Sequence, residues 1–346
     1  MTTTALVLLS GGLDSLLACR VLMAQGIRVV ALRFTAPFFD ADVGDPADYR
    51  AKIMAKYGID ARVHDVSRDY VRMLAAPAHG FGRNFNPCID CKILMLRRAR
   101  ELMPEYGASL LATGEVLGQR PMSQRRDAMR IIEKESGCAG LLLRPLCALH
   151  MEPTEAERAG LVDRTRLLGL SGRGRTEQQR LAAEFGITDY PAPAGGCLLT
   201  DVNLTVRFRR FAPGLFAAAE RRGDDFLVDS FRLLLFGRHF EPAPGLWFVL
   251  GRDQRDNDKI ERLREPGDIL FQCADRPGPL GLLRVLKPDA DAETLYPTLA
   301  GLVLRYAKKT AGRAGAGIVR IERDGAPREA RFAPLDDEAA QALQVI

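Results

Sequence analysis

Short apolar runs alternate with helical patterns through the first half of the chain. Ala5–Leu9 (ALVLL) reads as a fully buried strand and Val29–Phe34 as a second, β-rich one. Between them, Ser15–Gln25 carries apolar residues at helical spacing and stops at Gly26. Pro46–Tyr57 predicts a helix ending before Gly58, Arg62–Asp65 a weak third strand, and Cys88–Met103 a helix. Ser109–Thr113 and Leu141–Leu143 are two more strands. This alternation predicts a doubly wound parallel sheet, an α/β fold with helices on both faces. Ligands of such sheets sit at the carboxyl ends of the strands. Pro153–Leu168 and Arg175–Phe185 predict further helices, and the Pro/Gly-rich 191–196 a loop that delivers Cys197. Near Asp225–Asp229 the texture changes. Leu233–Phe236, Leu246–Leu250, Asp268–Cys273, Gly281–Leu286 and Gly317–Ile321 read as short strands, and Ala292–Lys308 as a helix. The expected organisation is a catalytic α/β domain over 1–210, a connector over 211–228 and a smaller α+β domain over 229–346.

Composition narrows the class. Of 346 residues, 47% are hydrophobic and 27% charged, the balance of an ordinary soluble globular protein. No apolar run is long enough to span a bilayer, so no membrane partner is expected. The N-terminal MTTTALVLLSGG has no basic flank and no small-residue cleavage site, and reads as a first strand rather than a signal peptide. A cytoplasmic location is the expectation. The net charge of +5 permits a polyanionic partner without demanding one. Seven cysteines, an odd count in a long chain, argue against a secreted disulfide framework.

The string Ser10-Gly11-Gly12-Leu13-Asp14-Ser15 follows a buried strand and opens a helix. Glycines let the backbone turn tightly and approach a ligand closely, and the N–H groups at a helix start face an anion. Asp14 is out of place in a pure anion site, and makes sense if it helps hold Mg²⁺ between phosphates. The plainer alternative is a strand-to-helix turn with Asp14 as its cap. There is no Gly-Lys-Ser/Thr, so this is not a Walker loop. The full string in this context resembles the pyrophosphate-binding loop of the N-type ATP pyrophosphatases, the PP-loop enzymes, with their adenine nucleotide alpha hydrolase-like fold. That resemblance implies ATP as cofactor, cleavage between the α and β phosphates, and transfer of AMP to an oxygen that a nucleophile then displaces. It places adenine against Arg33 and Phe34, and closes the nucleotide site with Thr113 and Gly114.

Cys88-Ile-Asp-Cys91 follows Asn86-Pro87 and begins a helix, whose N-terminus stabilises thiolates. Cys197 lies in Ala194-Gly-Gly-Cys197. A dithiol redox pair and half a zinc site are competing readings of the pair, although no second CxxC or His pair completes a zinc site. His64, His79, His150 and His239 are isolated, and Cys19, Cys138, Cys147 and Cys273 read as packing residues. NPCIDC and GGCLLTD, with SGGLDS and the stretch TGEVLGQRPMSQ from Thr113 to Gln124, resemble the PP-loop enzymes that thiolate tRNA uridine, the 4-thiouridine and 2-thiouridine synthases. The resemblance covers roughly residues 1–210. It implies an ATP-dependent tRNA sulfurtransferase with tRNA as substrate and a sulfur donor, either sulfide or a persulfide derived from a cysteine desulfurase. It makes Cys88, Cys91 and Cys197 ligands of a 4Fe–4S cluster with one open iron. The alternative it leaves is Cys197 as persulfide carrier with Cys91 as disulfide partner.

The loop after Thr113-Gly114 is polar and basic, with Gln119, Arg120, Ser123, Gln124, Arg125 and Arg126. Most of these suit a solvated face. Gln119 and Arg120, which follow a strand end bordering the nucleotide, are expected to reach the activated base or its phosphates. Gly172-Arg-Gly-Arg175 is a weaker candidate for phosphate contact. In the C-terminal part, Trp247-Phe-Val-Leu-Gly-Arg252, Asp256-Asn-Asp258, Gly267–Phe271 and Pro277-Gly-Pro279 more loosely resemble the NFACT RNA-binding domain. Arg252, Lys259, Arg262, Lys308 and Lys309 are then candidates for phosphate contact. A protein-interaction module is the alternative. Two other functional readings remain in view. Adenylation with an amine nucleophile, as in GMP synthase or tRNA lysidine synthase, leaves the three cysteines without a role. A non-catalytic RNA- or nucleotide-binding adaptor leaves the intact SGGLDS without one.

Overall fold

The computed structural model describes residues 3–39, 43–190, 197–308 and 315–345. It divides into two compact units, Met1–Cys197 and Leu198–Ile346.

The first unit contains β1 (Thr4–Leu8), α1 (Leu13–Met23), β2 (Arg28–Thr35), α2 (Pro46–Tyr57), β3 (Asp60–Asp65), α3 (Ser67–Ala75), α4 (Cys88–Tyr106), β4 (Leu110–Thr113), α5 (Arg126–Ser136), β5 (Leu142–Leu143), α6 (Glu155–Arg158) and α7 (Thr176–Glu184). The strands form one parallel sheet in the order β3-β2-β1-β4-β5. β1 is buried along its whole length, which is why it reads as an unbroken apolar run rather than an alternating one. Strand order reverses at β1, with β2 on one side and β4 on the other, so the crevice at their carboxyl ends is the topological switch point where such sheets bind ligands. The expected parallel α/β sheet is therefore present.

Local differences from the sequence reading have local causes. The helix expected over Pro153–Leu168 shrinks to α6. The Thr154–Glu157 capping box starts it, and Asp163, accepting from the Thr165 backbone N–H, turns the chain into a separate 3₁₀ turn. The expected loop at 191–196 lies outside the described residues. Helix α3 went unread although Tyr70, Val71 and Leu74 bury one face of it.

The second unit holds α8 (Val202–Arg222), α9 (Asp224–Leu233), β6 (Arg238–Phe240), β7 (Leu246–Leu250), α10 (Gln254–Arg262), β8 (Ile269–Cys273), β9 (Gly281–Val285), α11 (Tyr296–Tyr306), β10 (Gly317–Arg323), β11 (Ala326–Phe332), α12 (Asp337–Leu343) and β12 (Gln344–Val345). Its sheet is antiparallel, in the order β11-β10-β8-β9-β7-β6-β12. α11 lies on one face, where Leu299 and Val303 share a core with Phe248, Phe271 and Ile321. The stretch expected as a connector, 211–228, is helical: Asp201 caps α8, and α9 follows after Gly223. Leu233–Phe236 is the end of α9 and a turn rather than a strand, and the strand is β6. A four-residue apolar run does not distinguish a buried helix end from a short strand.

One ion pair in this unit is fully buried. Arg284 donates to Asp268, to the Ser230 hydroxyl at 2.9 Å and to the Leu263 carbonyl at 2.7 Å. Removing one partner strands a buried charge. Arg284→Ala is expected to lower the unfolding free energy by about 3–5 kcal/mol. The paired Arg284→Met/Asp268→Leu change should cost less, read by urea denaturation of the full chain.

Candidate active site

Between β1 and α1 the chain makes the turn that SGGLDS predicts. Gly11 has φ +82°, a backbone conformation that side chains resist, and Gly12 is the helix N-cap with no side chain to satisfy the first N–H groups. The Ser15 N–H turns back to the Gly12 carbonyl at 3.1 Å, and the N–H groups before it stand at a helix start, which faces an anion. Asp14 lies inside the first turn and does not cap it, so the plain-turn alternative loses its cap. The two hydroxyls meet across the turn, Ser10 Oγ donating to Ser15 Oγ at 3.3 Å, while Ser15 Oγ also bonds the Gly12 carbonyl at 2.7 Å.

Two elements brace this turn. Arg33 is buried and donates to the Ser10 carbonyl at 2.8 Å, so its guanidinium holds the loop from the end of β2. Phe34 beside it is buried and faces His64. At the end of β4, Thr113 is buried and Gly114 presses on α1: a Cβ there would stand 2.4 Å from the Asp14 carbonyl oxygen and 2.6 Å from the Ser15 nitrogen. Only glycine lets the two backbones approach that closely.

The Asp14 carboxylate is gripped from one side. Oδ2 accepts from Gln119 Nε2 at 2.6 Å and has the Arg175 guanidinium at 3.8 Å, while Oδ1 is buried without a hydrogen-bond partner. An orphaned carboxylate oxygen beside a phosphate-binding turn fits a divalent cation, and Asp14 is the residue that would hold it. Leu117 bridges Ser171, and the Gly172 N–H donates to the Leu117 carbonyl at 2.8 Å. The loop carrying Gln119 and the Gly172–Arg175 segment are thereby brought together over Asp14. Arg120 is exposed, and its carbonyl accepts from the Gln124 N–H at 3.2 Å. Ser123 and Gln124, expected on a solvated face, are buried.

The cysteines share this edge of the sheet. Helix α4 leads into a strand parallel to β1, so it runs against the strands and its N-terminus lies at their carboxyl ends. Cys88 is its first residue, and the Cys91 N–H one turn on donates to the Pro87 carbonyl at 2.8 Å. Cys88, Cys91 and Cys197 are half-buried, and Tyr70 is buried. Burial, then the neighbouring Cys88, push the Cys91 thiol up to about 12; Cys197 adds to the rise and Lys92 opposes it. Burial, then Cys91 and Cys197, also raise the Tyr70 hydroxyl well above its usual value. Cys88 and Cys197 thus belong to the electrostatic surroundings of Cys91. Soft thiolate ligands fit an iron–sulfur cluster, and Cys88, Cys91 and Cys197 are the residues that would hold one. Among the described residues no three His, Cys, Asp or Glu side chains stand at metal-holding distance, so no ligand geometry follows. Cys19, Cys138 and Cys147 are buried in the packing, as their surroundings suggest.

A buried ionic cluster was not foreseen. Glu115, directly after Gly114, accepts from Arg144 Nε at 3.0 Å and from the Thr113 hydroxyl at 3.1 Å, with Lys92 Nζ at 3.6 Å. Burial pushes the Glu115 carboxyl up, but Lys92 and Arg144 outweigh it and hold it below the usual range. The cluster ties the end of β4 to the cysteine helix. A charged residue in the apolar run LLLRPL was the available signal for Arg144. Nothing local marked Gln178, whose Nε2 donates to Gln119 Oε1 at 3.1 Å.

In the second unit, Arg252 is already paired with Asp256 at 2.6 Å. Lys259, Arg262 and Lys308 are exposed, and Lys309 lies outside the described residues. No described helix is long and apolar enough to cross a membrane.

Fold and site give a parallel α/β domain with a glycine turn between β1 and α1, followed by an antiparallel α+β module. Residues 1–157 match the family model of the thiamine biosynthesis protein ThiI, and residues 237–342 match that of the NFACT protein RNA binding domain. Both resemblances read from the motifs are therefore present in this chain. It is 37% identical over 125 residues to the tRNA-specific 2-thiouridylase MnmA of Nitratidesulfovibrio vulgaris, covering 33% of this chain and 34% of that protein. It is 27% identical to the probable tRNA sulfurtransferase of Lysinibacillus sphaericus (41% and 34% covered) and 30% identical to that of Nocardia farcinica (46% and 38% covered). The chain spans about a third of the length of these relatives.

Two outcomes are expected. Gly114→Ala should force the first turn of α1 to shift, at about 1–3 kcal/mol of strain, read by calorimetry as roughly ten- to hundredfold weaker ATP binding. Because the Glu115 carboxyl is held low, its contribution is present above the unfolded carboxyl value of about 4.3 and lost as pH falls through the lower folded value. The unfolding free energies of wild type and Glu115→Gln, measured by urea denaturation across pH, should differ near neutrality and converge at low pH.

Proposed function

We propose that this chain is an ATP-dependent tRNA sulfurtransferase that thiolates uridine in the cytoplasm. The observation that carries this reading is the meeting of a PP-loop with three interacting thiols at the carboxyl edge of one sheet. The turn at Ser10–Ser15 binds the phosphates, with Asp14 supplying an oxygen to Mg²⁺. A uridine carbonyl oxygen attacks the α phosphate, pyrophosphate leaves, and the base carries an adenylated oxygen. The first-turn N–H groups of α1 stabilise the charge that develops on the phosphate. A sulfur nucleophile then adds to the activated carbon and AMP departs with the oxygen. A 4Fe–4S cluster on Cys88, Cys91 and Cys197 would supply a site for sulfide at its open iron. The proximity of Cys91 and Cys197 also supports a persulfide on Cys197 resolved by Cys91. The reading gives Gln119 the substrate-facing edge of the nucleotide site and the C-terminal module the task of gripping tRNA, with a sulfide or persulfide donor feeding the thiols.

The test is anaerobic purification followed by tRNA thiolation and pyrophosphate assays. Cys197→Ala is expected to abolish thiolation while tRNA-dependent pyrophosphate release continues. Thiolation retained in that variant would exclude both sulfur schemes. Iron and acid-labile sulfide near four each per chain, lost in Cys88→Ser, would choose the cluster, and iron-free protein that thiolates would choose the persulfide.

A further inference from the structure

The grip on Asp14 contains a residue that the motifs do not reveal. Gln119 reaches Asp14 through an amide, and an amide has two unlike ends. Its Nε2 can donate to a carboxylate, whereas its Oε1 would repel one. In the structure the donor end faces Asp14 Oδ2 at 2.6 Å, and Oε1 accepts from Gln178 Nε2 at 3.1 Å. Gln178 is 2% exposed, in the first turn of α7, a helix that packs on α1 and roots Leu181 and Ala182 in the core. Its position is therefore fixed by packing, and its Nε2 holds the acceptor end of Gln119 away from the loop. Arg175, three residues earlier at the N-cap of α7, brings its guanidinium to the same Oδ2 at 3.8 Å. Both donors converge on one oxygen, and Oδ1 is the one left without a partner.

We propose that Gln178 is a positioning residue for the cation site: by orienting the Gln119 amide it holds Asp14 by Oδ2 and keeps Oδ1 available to the divalent cation that accompanies the nucleotide. The inference rests on the nucleotide reading of the loop. It assigns Gln178 no contact with substrate. If the cation needs a carboxylate already turned, losing the orienting bond weakens binding that depends on the cation and leaves binding without it unchanged.

The experiment measures binding of a non-hydrolysable α,β-methylene ATP to the full chain by calorimetry, with Mn²⁺ and with chelator, alongside Mn²⁺ electron paramagnetic resonance. Gln178→Met keeps the side-chain volume but cannot donate. It is expected to weaken Mn²⁺-dependent binding roughly tenfold, the net worth of one hydrogen bond. Binding in chelator and the Tm should stay close to wild type. In a cycle with Gln119→Ala, the second substitution should add little, because Gln178 acts only through Gln119. Additive losses, or equal losses with and without Mn²⁺, would make Gln178 a packing residue and overturn the proposal. Wild-type protein that binds no analogue under either condition would overturn the nucleotide reading itself, and the proposal with it.

Discussion

The site depends on one close approach, the backbone of Gly114 against the first turn of α1. It sets the width of the crevice at the point where strand order reverses, and so the space in which phosphates can lie. A side chain at 114 would meet the Asp14 carbonyl oxygen at 2.4 Å, and backbone cannot yield as a flexible side chain can. Everything else in the N-terminal unit is arranged around that contact. Arg33 holds the loop from β2, while Gln119 and Arg175 hold the Asp14 side chain from the opposite side. The loop gains preorganisation, because its donors are aimed before a ligand arrives and need no rearrangement when one binds.

The same strand end links the two halves of the chemistry. Glu115 follows Gly114 and is bound by Arg144 and approached by Lys92, which follows Cys91. A displacement of β4 would therefore be felt both at the phosphate turn and at the thiols. A buried charge cluster is a costly way to hold two elements together, since hydrophobic residues of equal volume often do as well. Its value here is directional: a carboxylate between a lysine and an arginine fixes where α4 sits, and with it Cys88 and Cys91.

Much of this was legible in the sequence, for identifiable reasons. The strands β1, β2 and β4 are buried on both faces and announce themselves as apolar runs. SGGLDS announces its own turn, because a glycine pair between a buried strand and an apolar helix has few other conformations. The CxxC pair was legible through spacing. What stayed hidden was decided at long range. Gln178 lies 59 positions from Gln119, and nothing around it distinguishes it from the polar face of any helix. Arg120 and Gln119 look alike in sequence, yet only Gln119 turns toward Asp14. The helices across 211–228 were not legible because α8 is long and of mixed polarity, with Pro213 inside it.

The second unit carries its charge in a way that bears on how it would hold RNA. Arg252, Arg264, Arg284 and Arg305 are each paired with an acidic residue of the same unit. Their guanidinium groups serve the fold first, and a phosphate would have to compete with a carboxylate already in place. Lys259, Arg262 and Lys308 are exposed, Lys259 with its ammonium 4.3 Å from the Phe236 ring centroid, and lysine acts as a point charge rather than a planar fork. Contacts of this kind position a phosphate backbone without reading bases. On the proposed reading, choice of the uridine then falls to the crevice beside Gly114, where Gln119 and the thiols meet the base, and the C-terminal unit contributes retention rather than selection.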